Sequence, residues 1–258
     1  MRLVLLLSTT ILFFGVHAEA ERQIQPSATI PAPVPMFQVA TIKPSKPDES
    51  LRILIQGRRF ATTGSSLIDI LKYAYGVHAN QIVDGPAWLS TEKFDLLADP
   101  DKETRPASDE MKKMVQELVA DRFHLSFHRA TRELSAYAIV VGKGGPKLTK
   151  STKDPGGIPT VGFSPSGKLS AGNATMADLA TFMQRYVADR PMVDRTGIAG
   201  KYDLNLTWTA DESHATEDPN APPGLFTAIQ EQLGLKLEAV KAPIEVFVID
   251  HVEQPSEN

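Results

Sequence analysis

The sequence predicts an α+β fold made of two tandem copies of one mixed module, and three observations carry that expectation. Apolar runs alternating with period two are interleaved with runs of helical period, so strands and helices share one core. The strand-like runs come as hairpins, which favours antiparallel pairing over a βαβ sheet. Short matches also recur in one order along the chain at offsets of about 108 to 114 residues, the mark of an internal duplication. They pair Ser66-Leu67-Ile68-Asp69-Ile70 with Thr175-Met176-Ala177-Asp178-Leu179, Val83-Asp84 with Val193-Asp194, Phe94-Asp95-Leu96 with Tyr202-Asp203-Leu204, and Gln116-Glu117 with Gln230-Glu231.

In chain order, residues 1–20 read as an export signal. Arg2 precedes an apolar stretch from Leu3 to Val16, and Ala18-Glu19-Ala20 has the small-x-small pattern of a cleavage site. The stretch falls short of the roughly 20 apolar residues that span a bilayer, so the mature chain is expected to begin at Glu21, outside the cytoplasm. Residues 21–36 hold four prolines and no apolar period, which reads as a linker.

The first module, 37–142, opens with an additional strand at Phe37–Ile42 and a hairpin at 51–60 that turns near Gln56-Gly57. A helix follows Ser66, whose hydroxyl and the Asp69 carboxylate form a capping box, with Leu67, Ile70, Leu71 and Ala74 on its inner face. A short strand ends at Val83-Asp84, and Lys93–Ala98 is the next. A second helix carries Met111, Met114, Val115, Leu118 and Val119 at i, i+3, i+4, i+7 and i+8. Two closing strands are then predicted, Phe123–His128 and Leu134–Gly142, with a turn between them.

Residues 143–160, rich in Gly, Pro and Lys, link this module to the second, 161–258. There the hairpin spans Val161–Leu169, and a helix capped by Thr175 and Asp178 buries Met176, Leu179, Ala180 and Met183. Strands follow at Val193-Asp194 and Lys201–Trp208, then a polar loop at 210–223. A helix between Pro223 and Gly234 turns Phe226, Ile229 and Leu233 inward. Closing strands are expected at Leu235–Val240 and Ile244–Val252.

Composition excludes several functions. There is no cysteine, hence no disulfide, no thiolate nucleophile and no thiolate-bound metal. A net charge of −4 lacks the basic footprint of a nucleic-acid binder, and no run after the signal is long enough to cross a membrane. His124 and His128 alternate with Phe123, Leu125 and Phe127. On a strand they would lie about 13 Å apart, too far to share one ion, so no metal is expected. Gly162-Phe163-Ser164-Pro165-Ser166 lacks the closing glycine of a nucleophile elbow. Gly142-Lys143-Gly144-Gly145 is not followed by a helix, so no phosphate loop and no cofactor is expected either.

Asp84, Asp95, Asp194 and Asp203 recur in both modules, as do the apolar positions Trp88 and Ile198, which suits features the fold needs twice. What the first module has alone is the cationic run His128, Arg129 and Arg132 between its closing strands, with Lys143 and Lys147 further on. Those five residues form the candidate binding patch, and an anionic or cell-envelope partner is the expectation. The function expected is non-catalytic binding or protein interaction outside the cytoplasm. The alternatives are a secreted hydrolase with a site built from non-adjacent residues, or an envelope-sensing module.

Several stretches resemble a known family: Phe37-Gln-Val-Ala-Thr-Ile-Lys-Pro-Ser45, Gly85-Pro-Ala-Trp-Leu89, Asp121-Arg-Phe-His-Leu125, His128-Arg-Ala-Thr-Arg-Glu-Leu134, Val193-Asp-Arg-Thr-Gly197 and Val248-Ile-Asp-His-Val252. They are similar to a secreted soil-bacterial family of unknown function, expanded in Acidobacteria. A similar domain is also fused there to membrane metallopeptidases of the antibiotic-sensor type. The resemblance implies an envelope or secreted location and no established activity, substrate or catalytic residue.

Overall fold

The computed structural model describes residues 36–154, 156–157, 159–209 and 221–256. The expected signal at 1–20, residues 21–35 of the expected linker and residues 210–220 of the polar loop lie outside the described residues. Within them the fold is mixed α+β, with five α-helices and twelve strands in three four-stranded sheets.

The strands β1 (Phe37–Pro44), β2 (Arg52–Gln56) and β3 (Arg59–Ser66) lead into helix α1 (Leu67–Tyr75). A single 3-10 turn at Ala79–Gln81, the short strand β4 (Ile82–Val83), helix α2 (Trp88–Thr91) and strand β5 (Lys93–Pro100) follow. Gly57, at φ +64°, supplies the left-handed backbone that the tight turn between β2 and β3 requires. The first outer sheet has the order β1-β5-β3-β2, antiparallel throughout.

The pairing of β3 with β5 slips between Thr62 and Ser65, and Gly64 sits in the slip at φ +57°. Its N–H donates to Asp95 Oδ1 at 3.1 Å, and Ser45 Oγ donates to the same oxygen at 2.6 Å. Two residues later Ser66 caps α1. Asp69 N–H donates to its hydroxyl at 3.2 Å, and the Asp69 carboxylate accepts Ser66 N–H at 3.2 Å.

The long helix α3 (Ser108–Arg122) buries the five residues its periodicity predicts, Met111, Met114, Val115, Leu118 and Val119. It closes through Phe123 and then His124 at φ +48°, a left-handed residue just past the helix end. His124 is therefore not in a strand with His128. The alternation of Phe123 and Leu125 that suggests a strand is the apolar plug of a helix terminus, both residues being buried.

After strand β6 (Ser126–Val141) come β7 (Thr149–Lys150), β8 (Thr160–Ser164), β9 (Lys168–Ala174) and helix α4 (Met176–Tyr186). Then follow β10 (Met192–Asp194), β11 (Tyr202–Thr207), helix α5 (Leu225–Leu233) and β12 (Leu235–His251). The second outer sheet has the order β7-β11-β9-β8. Asn173, at φ +56°, donates its N–H to Asp203 Oδ1 at 2.8 Å, two residues before Thr175 caps α4 with Asp178. That amide is the first reason the Asp203 carboxyl is held below the usual carboxylate range. Asparagine is among the few side chains that accept a left-handed backbone, and this one also donates to the carbonyls of Asp154 and Gly157, each at 2.9 Å.

The third sheet, β10-β6-β12-β4, lies on strands from both ends of the chain. β6 and β12 pair antiparallel from Val141↔Leu235 to Ser126↔His251. β4 runs parallel to β12 through Ile82↔Phe247, and β10 runs parallel to β6 through Met192↔Tyr137. One apolar core joins Phe247 and Ile249 of β12 to residues from Ala40 to Leu125, while another joins Ile139 of β6 to residues from Leu169 to Leu237.

Two expectations are corrected here. Each pair of closing strands is one continuous strand, and no turn interrupts β6 at 128–133. That segment has no Gly, Pro, Asn or Asp to make a turn. It is polar because only β12 pairs with it there, so its side chains stand in water. Pro243 is tolerated opposite Glu133 because β12 has an open edge at that point. Phe226 of α5 is also not buried. It is 46% exposed and meets the Tyr137 ring edge-on at 5.4 Å, while Ala228, Ile229 and Leu233 face the core.

Candidate functional site

The ends of α1 and α4 are tied together by glutamines. α1 stops at Gly76 (φ +69°), and its last carbonyls need partners. Gln116 of α3 donates to Ala74 O at 2.8 Å, and Gln184 of α4 donates to Gly76 O at 3.0 Å. Gln184 also accepts Met192 N–H at 3.1 Å, so it fixes α4 to β10 as well. His78, buried just beyond, bonds the Ala188 backbone, and its burial pushes the ring below the ordinary histidine range, so it stays neutral at pH 7.

This tether places the last turn of α4 over α1 and beside the edge strand of the first sheet. The result is a cleft of about 470 Å³, within the size range of small-ligand sites. Leu51, Ile53 and Ile55 form one wall, and Asp69, Lys72 and Tyr73 of α1 form the floor. Arg185 and Tyr186 of α4 and Arg105 complete the rim. The loop bearing Arg105 is anchored at Lys102, whose carbonyl accepts Arg58 Nη1 at 2.7 Å and whose ammonium pairs with Glu110.

The electrostatics of the cleft are uneven. Lys72 shares the Asp69 carboxylate at 3.8 Å, but neither Arg105 nor Arg185 has a carboxylate within salt-bridge distance among the described residues. The Arg185 guanidinium lies over the Tyr73 ring at 4.8 Å and the Tyr186 ring at 5.0 Å, held by cation–π attraction. The Tyr73 hydroxyl is buried without a hydrogen-bond partner. Burial pushes its pKa up to about 12, so it remains a protonated donor at neutral pH.

The five residues singled out in the sequence are not brought together. His128 and Arg132 lie on one face of β6 and Arg129 on the other, as strand alternation requires. Val141, at the far end of β6, is about 30 Å along the strand from Arg132 at ~3.3 Å per residue, and Lys143 lies beyond it. Each of these three β6 side chains already has an acid beside it. His128 Nδ1 is 2.8 Å from Asp250 Oδ1, Arg129 Nη1 donates to Glu245 at 2.6 Å, and Arg132 forks onto both oxygens of Asp84. The Asp84 carboxyl is held below the usual range chiefly by the Arg132 bond. Lys147 donates to Glu231 O at 2.8 Å, closing the C-terminal end of α5, and Lys143 lines a shallow hollow beside it.

The recurring acids act on backbone or neighbouring side chains: Asp95 and Asp203 on bulge amides, and Asp194 on Thr196 N–H and Oγ1, both at 2.8 Å. Trp88 packs half-buried against the first core, with Leu89 beside it fully inside. Among the described residues no group of three His, Asp or Glu side chains is placed to hold a metal ion, and no helix is long and apolar enough to cross a membrane.

The cleft residues escaped sequence reasoning because Leu51, Tyr73, Arg105 and Arg185 are separated by tens of residues. The usable signal was the hairpin strand at 51–56, whose Leu51, Ile53 and Ile55 alternate, but nothing local marks it as a sheet edge.

By fold and site, this is a mixed α+β protein with a cationic, aromatic-lined cleft. The model of a family described as "Protein of unknown function (DUF3738)" matches residues 68–252, more than half of the chain, and the protein belongs to that family. The matched stretch holds the α1, Arg105 and α4 sides of the cleft, while the β2 wall precedes it. Searches of curated proteins and of solved structures returned no match.

Proposed function

We propose that the protein is an exported, non-catalytic binding protein whose ligand seat is the cleft of β2, α1 and α4. The ligand suited to it has an apolar body and an anionic group. One observation carries this: two guanidinium groups, without carboxylate partners among the described residues, line the cleft together with an apolar wall and the Tyr186 ring. A protonated Tyr73 is a donor and not a base, which suits binding better than proton abstraction. His128, Arg129 and Arg132 are passed over because each already pairs with a carboxylate. Export is supported by Arg2, the Leu3–Val16 stretch and Ala18-Glu19-Ala20, and the intact mass of the exported protein should correspond to a chain starting at Glu21. A mass retaining residues 1–20 would count against it.

Duplication of a module belongs to the same proposal. The matching order of the two outer sheets, the paired capping boxes at Ser66 and Thr175, and the bulge amides of Gly64 and Asn173 on Asp95 and Asp203 support it.

The cleft is tested with 8-anilinonaphthalene-1-sulfonate, an apolar anionic dye whose fluorescence rises on binding. The protein should bind it, and Arg185→Ala should bind it roughly tenfold more weakly or worse, as loss of a charge-assisted contact implies. Leu97→Ser, on the outer face of the first sheet, should bind it unchanged. Equal binding by Arg185→Ala and the parent would remove the cleft from consideration.

A further inference from the structure

We infer that the cleft takes an extended peptide carrying a carboxylate, which adds as a strand to the free edge of β2 while its acid meets Arg185 and Arg105. This rests on the cleft being the ligand seat and names the class of ligand it accepts.

The first ground is the edge itself. Among the described residues β2 pairs only with β3, in an unbroken register from Arg52↔Thr63 to Gln56↔Arg59. Exposed edges are normally blunted by charged side chains, Pro or a bulge, because their unpaired backbone groups recruit other strands. The opposite edge, β1, shows this protection with Lys43, Pro44 and an irregularity between Phe37 and Val39. β2 has none of these after Arg52, and its run is Ile53, Leu54, Ile55. An unprotected apolar edge that borders a cleft is suited to strand addition.

The second ground is spacing. Leu51, Ile53 and Ile55 meet the cleft at every second residue, a repeat of about 6.6 Å. An added peptide strand has the same repeat, so its alternate side chains fall beside those three.

The third ground is charge, which selects among occupants. Arg105, Arg185 and Lys72 outnumber Asp69 at the cleft. Two copies of this protein joined edge to edge at β2 would bring these cations toward one another, whereas a peptide acid would neutralise them. Arginine's planar fork also matches a carboxylate in a bidentate manner.

The experiment is displacement of the bound dye by synthetic hexapeptides of alternating valine and threonine. One ends in a free carboxylate, one in an amide, and one has a free carboxylate with alternate backbone nitrogens methylated along the pairing edge. The carboxylate peptide should displace the dye, and the other two should each be weaker by roughly tenfold or more, having lost the charged contact or the strand hydrogen bonds. Equal competition by the methylated peptide would overturn strand addition, and equal competition by the amide would overturn recognition of the acid. If no peptide competes while dye binding still depends on Arg185, the peptide inference fails and the cleft stands as a small-molecule seat. If dye binding does not depend on Arg185, both fail. Dimerisation in sedimentation that Ile53→Lys abolishes, with no peptide competition, would assign the edge to a second copy instead.

Discussion

Gly64→Ala should be among the most damaging single-methyl additions to this protein, with a loss of about 2–5 kcal/mol. Two costs combine. A non-glycine residue at φ +57° carries a left-handed penalty of roughly 1–2 kcal/mol. The new Cβ would also stand 2.5 Å from Glu49 O and 2.9 Å from the Ser50 carbonyl carbon. Both are backbone atoms that cannot swing away, and overpacking of this kind costs about 1–3 kcal/mol. Relief would pull the Gly64 N–H off Asp95 and disturb the bulge that sets up the Ser66 cap. Gly57→Ala provides the control, since it shares a left-handed φ of +64° but has nothing within 4 Å of the added carbon. Urea midpoints should therefore fall far more for Gly64→Ala than for Gly57→Ala. Equal shifts would mean that the close approach at Glu49 is not present in solution.

Phe247→Ala should cost about 3–5 kcal/mol, the range for deleting a buried aromatic ring. Phe247 is 2% exposed, stacks on Phe127 at 4.5 Å, and meets Tyr75 edge-on at 5.0 Å. It comes from the last strand of the chain yet packs in the core built from the first strands and helices. At roughly 2–4 °C per kcal/mol for a chain of this size, the melting temperature should fall by about 10 °C. Trp88 packs on the first core and Trp208 lies in the second, so the two tryptophans report on them separately. Because β6 and β12 contribute to both cores, single-tryptophan versions should lose their signals in one transition, and Phe247→Ala should shift both. A drop seen only at Trp88, with Trp208 unchanged, would show that the cores melt independently.

Features that depend on a few consecutive residues were legible in the sequence. The capping boxes at Ser66 and Thr175, the buried face of α3 and the turn at Gly57 each follow from chemistry within one helical turn or one hairpin. Errors arose where solvent exposure or partner choice decides the outcome. Arg129, Thr131 and Arg132 look like a turn because they are polar, but they are exposed positions of a continuous strand that pairs there with β12 alone. The sequence of β6 does not state that β12, far along the chain, pairs along its full length. For the same reason the cations of β6 looked available, since Asp84, Glu245 and Asp250 reach them only through that sheet. The cleft was hidden more deeply. Nothing in the sequence around Arg185 marks it; its place in the cleft arises only because Gln184 fastens the end of α4 to the carbonyl of Gly76 and brings Tyr73 beneath it.

Backbone amide chemical-shift mapping of the labelled protein, titrated with the carboxylate hexapeptide, tests the ligand seat most directly. The largest shifts should fall on Arg52–Gln56, Lys72, Tyr73, Arg185 and Tyr186, with the amides of His128, Arg129, Arg132, Lys143 and Lys147 nearly unmoved. Shifts concentrated on those five residues, with β2 and the end of α4 silent, would contradict the assignment and return the function to the ribbon.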